Sequence, residues 1–409
     1  MSALPHERIA VVDVLRAFAL FGIMVTHSGM EFLAGPYPYP TFGFVHAFDP
    51  VVKQIVELLT TGKFFMIFSF LFGLSFAIQI DNAARKGAAF AGRFAWRLTV
   101  LLLIGIAHSL FFSGDILVLY ALLGFLLLPM RNVRTKTLLW VSAVLVVNIP
   151  LVLLMIAVMN VPPPGPEQQA ATAETARQFA EMAKSYFEAK RSGTLVELMQ
   201  ANAGFGALMK FGYVVISGRL WITFACFLLG MCAWRVGLFV DTPENRARMR
   251  RVLTAGGAIA LVFSVLVLSF PADPTMVPSG SNAFPVFVAS VQNASLSAFL
   301  IAGVSLLYWR APDRGPLPAL APMGRMGLTS YLMQTLFGAI VFYGVGFGLM
   351  GQLGWGLGVL LGLLWCVFQV FFSRAWLGYF TMGPFEWLWR SLTYFKLQPL
   401  TRRVAAPAV

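Results

Sequence analysis

The sequence predicts an all-α, polytopic membrane protein of about ten transmembrane helices, with N and C termini cytoplasmic. Composition is the first ground: 58% of the 409 residues are hydrophobic, only 11% are charged, and 38 are Phe, a balance foreign to a soluble domain. The second is that about ten apolar runs are long enough to cross a hydrocarbon core of about 30 Å. They cover 9–30, 56–80, 94–112, 114–130, 137–159, 207–235, 252–270, 285–308, 326–346 and 355–373. The third is the sorting of basic residues to alternate loops. Arg85, Lys86, Arg93 and Arg97 follow the second run; Arg131, Arg134 and Lys136 the fourth; Arg235, Arg246, Arg248, Arg250 and Arg251 the sixth; Arg310, Arg314 and Arg325 the eighth. The tail carries Arg374, Arg390, Lys396, Arg402 and Arg403, whereas the short loops at 31–50, 113, 271–284 and 347–354 hold no Lys or Arg. The positive-inside rule places the basic loops in the cytoplasm. A net charge of +13 therefore speaks of topology and membrane lipids, and not of nucleic acid.

The first run, Val11 to Glu31, is the one the chain is organised around. It is long enough to span, yet it carries Asp13, Arg16 and His27. Ionisable groups in a spanning helix are costly and normally face the protein interior or a wet cavity. Asp13 and Arg16 stand at i, i+3 and share a face, which reads as a structural pair at the membrane edge. Arg16 and His27 are eleven residues apart, three turns plus roughly 20°, so they share a stripe with a rise of roughly 16 Å between them. The run is too long and too charged for a cleavable signal and reads as a retained anchor.

The third and fourth runs are joined by Phe111 to Asp115, with no room for a loop. This short hairpin brings His108 and Asp115 to its tip and predicts a dent in the outer surface, with His46 of the first outer loop near enough to join. His6, in the N-terminal tail, reads as exposed. The one long polar insertion, 160–206, is external. Pro162, Pro163, Pro164 and Pro166 forbid helix at its start; 167–191 then reads as an amphipathic helix with Phe179, Met182, Tyr186 and Phe187 on its apolar side, lying over the dent or standing as a solvated decoration. Arg219 lies in the outer half of the sixth run and needs a partner or a cavity. The ninth run opens on Arg325, Thr329, Ser330, Tyr331 and Gln334; for Thr329 and Ser330, bonds to neighbouring helices or to their own backbone are the favoured reading. Residues 383–409 form a cytoplasmic interfacial tail in which Glu386 and Arg390 make an i, i+4 pair beside Trp387 and Trp389. Residues 1–409 thus form a single integral membrane domain. Cys226, Cys232 and Cys366 lie in apolar runs without metal-ligand spacing, which excludes a disulfide framework and a metal site.

The strings VDVLRAFALFGI, KFFMIFSFLFGLSFAIQ, GIAHSLFFSGDILVLYALLGFLLLP, GRMGLTSYLMQ and GPFEWLWRSLTY carry a resemblance from about Ile9 to Pro399. The chain resembles the YeiB-like family of bacterial inner-membrane proteins, which is similar to the transmembrane acyltransferase superfamily. That superfamily includes heparan-α-glucosaminide N-acetyltransferase and the acyltransferases that decorate bacterial surface polysaccharides. The resemblance implies about ten spans, the bacterial inner membrane, acetyl-CoA or another acyl-CoA as cytoplasmic donor, an acceptor on the far side and, by analogy, a homodimer. Where YeiB-like sequences read Gly and later Asn, this chain has Ala17 and His27. Arg16 with His27 instead matches the Arg, ten residues, His pattern of the polysaccharide acyltransferases.

Acyl transfer from a thioester needs a site for the anionic nucleotide, a base and a stabiliser for the oxyanion. The basic set Arg16, Arg93, Arg97, Arg131, Arg134, Arg325 and Arg390 could supply the donor site, with Arg16, Arg97, Arg325 and Arg390 the chosen candidates, since the guanidinium fork matches phosphate; the competing reading of such residues is topogenic. His27 or His108 supplies the base, with Asp115 orienting it. Arg219, Ser113, Tyr120 and Gln334 are candidates for substrate or oxyanion contact. The acceptor, a glycan, lipid or small molecule, has no signature. The competing class is a proton-coupled transporter or a lipid or small-molecule exporter, because intramembrane Arg, Asp and His serve transport equally. Gly344, Gly346, Gly348, Gly351 and Gly354 would lend it a mobile element, but the inverted repeat common in transporters is not legible.

Overall fold

In the computed structural model the described residues are 9–32, 46–85, 87, 90–158, 165–271 and 280–402. His6, Lys86, Pro162 to Pro164, Arg403 and most of the 31–50 and 271–284 loops lie outside them. The described residues fold into seventeen α-helices and no β-strand. They run α1 Ala10–Thr26, α2 Asp49–Leu59, α3 Phe64–Arg85, α4 Ala91–Ser109, α5 Leu117–Met130, α6 Thr135–Val146, α7 Ile149–Val158, α8 Pro166–Ser192 and α9 Leu195–Ala201. Then come α10 Ala207–Ile216, α11 Arg219–Arg235, α12 Pro243–Ser269, α13 Ala283–Arg310, α14 Pro316–Arg325, α15 Gly327–Val341, α16 Trp355–Tyr379 and α17 Pro384–Tyr394.

Six stretches are long and apolar enough to cross a membrane: Ala10–Met30, Asp49–Arg85, α4, α12, α13 and α16. Two more are bent pairs, α6 with α7 at 44° and Leu195–Ile216 with α11 at 66°, and α5 and α15 are shorter apolar helices. The chain is an all-α membrane protein. The sixth apolar run differs from expectation: it is not one helix over 207–235 but breaks at Ser217–Gly218. Gly218 has φ +69 there, a left-handed conformation that glycine adopts without steric cost. The fifth run bends too, at Asn148, which has φ 62 and is buried. The two breaks face one another: Asn148 Nδ2 donates to the Ser217 carbonyl at 3.3 Å, and a Cβ on Gly218 would collide with the Asn148 side chain.

Helix α1 is central. Eleven of its seventeen residues are buried, against four of twenty-seven in α12, whose apolar surface faces outward as a lipid-exposed helix should. Close approach relies on small residues. A Cβ on Gly324 of α14 would strike the Asp13 carbonyl of α1, and one on Gly22 would strike Phe64. Gly73 of α3 and Gly230 of α11 are reciprocal, each seated against the other helix's backbone, at Phe227 and Phe70. Without a hydrophobic drive between helices in lipid, such packing is what holds a bundle together.

The insertion is docked, not a free decoration. The C-terminal part of α8 buries Ala183, Tyr186, Phe187 and Lys190, while Phe179 and Met182 stay exposed. The Lys190 carbonyl accepts from the Gly344 amide, and Tyr186 reaches the hairpin tip. At the opposite, basic end, α17 lies against α4. Trp389 Nε1 donates to the Arg97 carbonyl, Trp96 Nε1 donates to the Leu392 carbonyl, and the Arg97 guanidinium stacks 3.7 Å from the centre of the Trp389 ring.

Candidate functional site

Arg16 projects from α1 with Asp13 at 2.5 Å, the i, i+3 pair that the spacing predicts, and donates to Ser75 Oγ of α3 at 2.7 Å. The tie turns its guanidinium into a cavity of about 490 Å³, a volume typical of a small-molecule site. Arg97 of α4, Arg325 of α14 and Arg390 of α17 line the same cavity. Four arginines from four helices thus converge on one space; they are the chosen candidates of the basic set, whereas Arg93, Arg131 and Arg134 do not line it. Topogenic arginines facing lipid would not converge. The floor is the docked tail, through Trp389, Arg390 and Glu386.

Glu386 does not pair with Arg390 as its spacing predicts. Its carboxylate turns inward and accepts from the Leu328 amide at 2.7 Å, the Thr329 amide at 3.1 Å and the Thr329 hydroxyl at 2.6 Å. It thereby satisfies donors that the first turn of α15 leaves open. Burial raises the Glu386 carboxyl above the usual carboxylate range, and the Thr329 hydroxyl and the amides pull it back. Ser330 bonds the Met323 carbonyl, so both hydroxyls are used between neighbouring elements, as favoured from the sequence.

One face of α15 then leads away from this basic mouth. Leu328 and Tyr331 line the cavity, and Thr335, one turn beyond Tyr331, meets His108. The His108 ring packs on Tyr331 with centroids 5.3 Å apart. His108 Nδ1 lies 2.8 Å from Asp115 Oδ1 and Nε2 lies 2.8 Å from Thr335 Oγ1, all three residues being buried. Asp115 Oδ2 accepts from the Val118 amide at 3.0 Å and from Lys210 Nζ at 3.2 Å. Lys210 also donates to Ser109 Oγ at 3.3 Å. The hairpin predicted to bring His108 to Asp115 does so, through the turn between α4 and α5.

The other candidates distribute around this pair. His27, in a π-helical turn that extends α1, packs on Phe112 at 5.0 Å, and His108 packs on the same ring at 6.0 Å. His27 lies within electrostatic reach of His108 and Arg219, and among the described residues neither of its ring nitrogens makes a hydrogen bond. Arg219 stacks over Phe65 and Tyr213 at 4.4 and 4.9 Å, so aromatic faces are the partner that its place in the span requires. Tyr120 lines the cavity and shares a 2.6 Å hydrogen bond with Ser69. Ser113 is used otherwise: it accepts from Tyr186 of α8 at 2.7 Å and locks the insertion to the hairpin tip. Gln334 donates to the Leu20 carbonyl of α1 at 3.0 Å, a helix-packing tie away from the histidines. His46 heads α2, where its amide donates to Asp49 and its ring stacks on Phe48. The described residues contain no cluster of metal ligands.

Sequence reasoning missed Lys210, Thr335, Tyr331 as the shared wall, and Ser75. Lys210 left a signal, a lone cation in an apolar run, that a single-helix reading of 207–235 hid. Thr335 left none, because a threonine in a spanning helix ordinarily bonds its own backbone.

The family described as "Protein of unknown function (DUF418)" matches residues 233–396, which include Arg325, Tyr331, Thr335, Glu386 and Arg390. Over nearly the whole length, the chain is 32% identical to the uncharacterized protein YxaH of Bacillus subtilis (strain 168), covering 98% of each sequence. It is 27% identical to the uncharacterized protein YeiB of Escherichia coli (strain K12), again over 98% of each. With these relatives along its full length, the chain belongs to the YeiB-like family.

Proposed function

We propose that the protein is an acyl-CoA-dependent O- or N-acyltransferase of the bacterial inner membrane, passing an acyl group, preferably acetyl, from a cytoplasmic donor to an acceptor at the extracytoplasmic face. The observation that carries this reading is the convergence of Arg16, Arg97, Arg325 and Arg390 on one cavity whose far wall, Tyr331, backs onto the His108–Asp115 pair. In this reading about ten segments cross, both termini are cytoplasmic, and the basic mouth opens inward. The arginines bind the nucleotide phosphates by charge-assisted hydrogen bonds. The pantetheine arm follows α15 towards Tyr331.

Asp115 holds His108 by Nδ1 and leaves Nε2 to act as base, the arrangement in which a third group orients the base. The acceptor hydroxyl or amine takes the place of the Thr335 hydroxyl at Nε2. As His108 removes its proton, the acceptor attacks the thioester carbonyl. The tetrahedral oxyanion collapses, the C–S bond breaks, and the CoA thiolate leaves with the proton from His108. Arg219 and Tyr120 are the side chains this reading assigns to the developing negative charge. His27, across Phe112, lines the acceptor side. The acceptor class is a glycan, lipid or small molecule.

Calorimetry with acetyl-CoA on the detergent-purified protein tests this. Wild type is expected to bind, Arg16→Ala to lose binding, and His108→Ala to bind without supporting transfer. Failure of the wild type to bind any acyl-CoA at millimolar concentration would overturn the reading. The second reading, a proton-coupled transporter or exporter, draws on the facing helix breaks at Asn148 and Gly218, since transporters build sites at discontinuous helices. Proteoliposomes would then show substrate-driven proton movement that Arg16→Ala leaves intact.

A further inference from the structure

A second pocket, of about 330 Å³, lies at the basic end on the other face of α3. Ser75, Ile78 and Gln79 face the four-arginine cavity, whereas Ala77, Ile80 and Asp81 face this one. Its remaining walls are the turn from Arg131 to Arg134, Thr135, and the C-terminal turn of α11. We infer that it holds the phosphodiester headgroup of an anionic membrane lipid. The inference does not depend on the acyltransfer reading.

Three arginines, Arg131, Arg134 and Arg235, meet here with a single carboxylate, Asp81, whose Oδ2 accepts from Trp234 Nε1 at 2.6 Å. The pocket is therefore net positive. Arg235 uses its guanidinium on the chain itself, donating to the Arg131 carbonyl at 2.6 Å and the Val133 carbonyl at 2.7 Å. That fixes the turn and presents the other two arginines. Arg131 donates to the Leu128 carbonyl at 3.3 Å, and Arg134 has no hydrogen bond or ion pair among the described residues. A guanidinium fork without a protein partner suits a phosphate oxygen pair.

The surroundings choose the source of that phosphate. Leu122 and Leu126 of α5 and Leu139 and Trp140 of α6 are exposed apolar side chains on the two helices that the basic turn joins. Acyl chains lying along them would put the headgroup at the level of Arg131 and Arg134. A soluble phosphate compound needs no such flank. Basic pockets between helix ends are where anionic headgroups bind.

Thermal unfolding in detergent with added phosphatidylglycerol, phosphatidylcholine or inorganic phosphate tests the site. Phosphatidylglycerol should raise the wild-type midpoint by about 3 °C, and the other two should not. The Arg131→Gln/Arg134→Gln variant should need about 25-fold more phosphatidylglycerol for the same shift. An equal response to phosphatidylcholine, or an unchanged response in the variant, would overturn the inference. An equal shift from inorganic phosphate would assign the pocket to a soluble anion and overturn the lipid. If the double variant does not fold, Arg134→Gln removes a side chain without a protein partner. Native mass spectrometry of wild type from mixed-lipid nanodiscs is then decisive: retained phosphatidylglycerol above the nanodisc fraction supports the site, and retention in proportion overturns it.

Discussion

Asp115 is the residue on which the polar cluster of His108 and Lys210 depends. It faces an imidazole, an ammonium and a backbone amide, and its side chain is fully buried. Removing one partner of a buried ion pair leaves the other uncompensated. Asp115→Asn is expected to destabilise the protein by about 3 kcal/mol, and adding Lys210→Met should restore part of that loss. Thermal unfolding of the two single variants and the double variant measures the coupling, and strict additivity would show that Lys210 is not the partner. At this scale the residues of the four-arginine cavity were legible as buried or span-end cations, because an arginine inside or at the end of a span is costly enough to demand a reason. Lys210 obeys the same rule and was passed over through the misread helix. Ser113 and Gln334 show the converse: each has the right chemistry, and each makes a contact that no sequence spacing encodes, one with α8 and one with α1.

Among the elements, α15 is held from both directions. Its N-terminal amides rest on Glu386 of α17, and its outer face carries Thr335 to His108. Glu386→Ala should cost about 1–2 kcal/mol, as the loss of a helix cap does, and should loosen α17. Glu386→Gln isolates the ionisation. The folded-state carboxyl is raised, so the fold binds the proton more tightly than the unfolded chain. Its contribution is complete below the unfolded pKa and is lost as pH rises through the raised value. Wild-type melting temperature should therefore fall more than that of Glu386→Gln between acid and neutral pH; parallel profiles would contradict the assignment. The α3–α11 contact yields a harsher test. Gly230→Ala drives a Cβ into the Phe70 carbonyl and should cost about 2 kcal/mol or more, seen as lost yield and a lowered melting temperature. Sequence patterning found the apolar segments but not the two bends, since a break of two residues does not alter hydropathy and the conformations of Asn148 and Gly218 answer to each other.

For the molecule as a whole, the two ends of the bundle differ in kind. One gathers Arg97, Arg131, Arg134, Arg235, Arg325 and Arg390; the other carries the docked α8. Opposite sidedness of these ends is testable with thiol chemistry, because Cys226, Cys232 and Cys366 are all buried. In intact cells a membrane-impermeant maleimide should label Gln168→Cys, on the exposed face of α8, and spare Arg402→Cys. Labelling of both, or the reverse pattern, would overturn the orientation drawn from basic-residue counts. The apolar segments and the polar insertion between them were legible because hydropathy is a local property. The burial of Tyr186 and Lys190 in that insertion was not, because it depends on a surface assembled from distant segments.

The four-arginine cavity takes its walls from residue 16 at one extreme and residue 390 at the other. A ribosome releases the chain from the N-terminus, and segments fold as they emerge. Every apolar segment is therefore already made when Trp389 and Arg390 leave the exit tunnel, and the floor of the cavity is the last part to arrive. A message cut short between Tyr379 and Pro384 would yield a chain that carries sixteen of the seventeen helices, yet presents an open trough. Possession of a closed site thus reports that translation has passed Arg390.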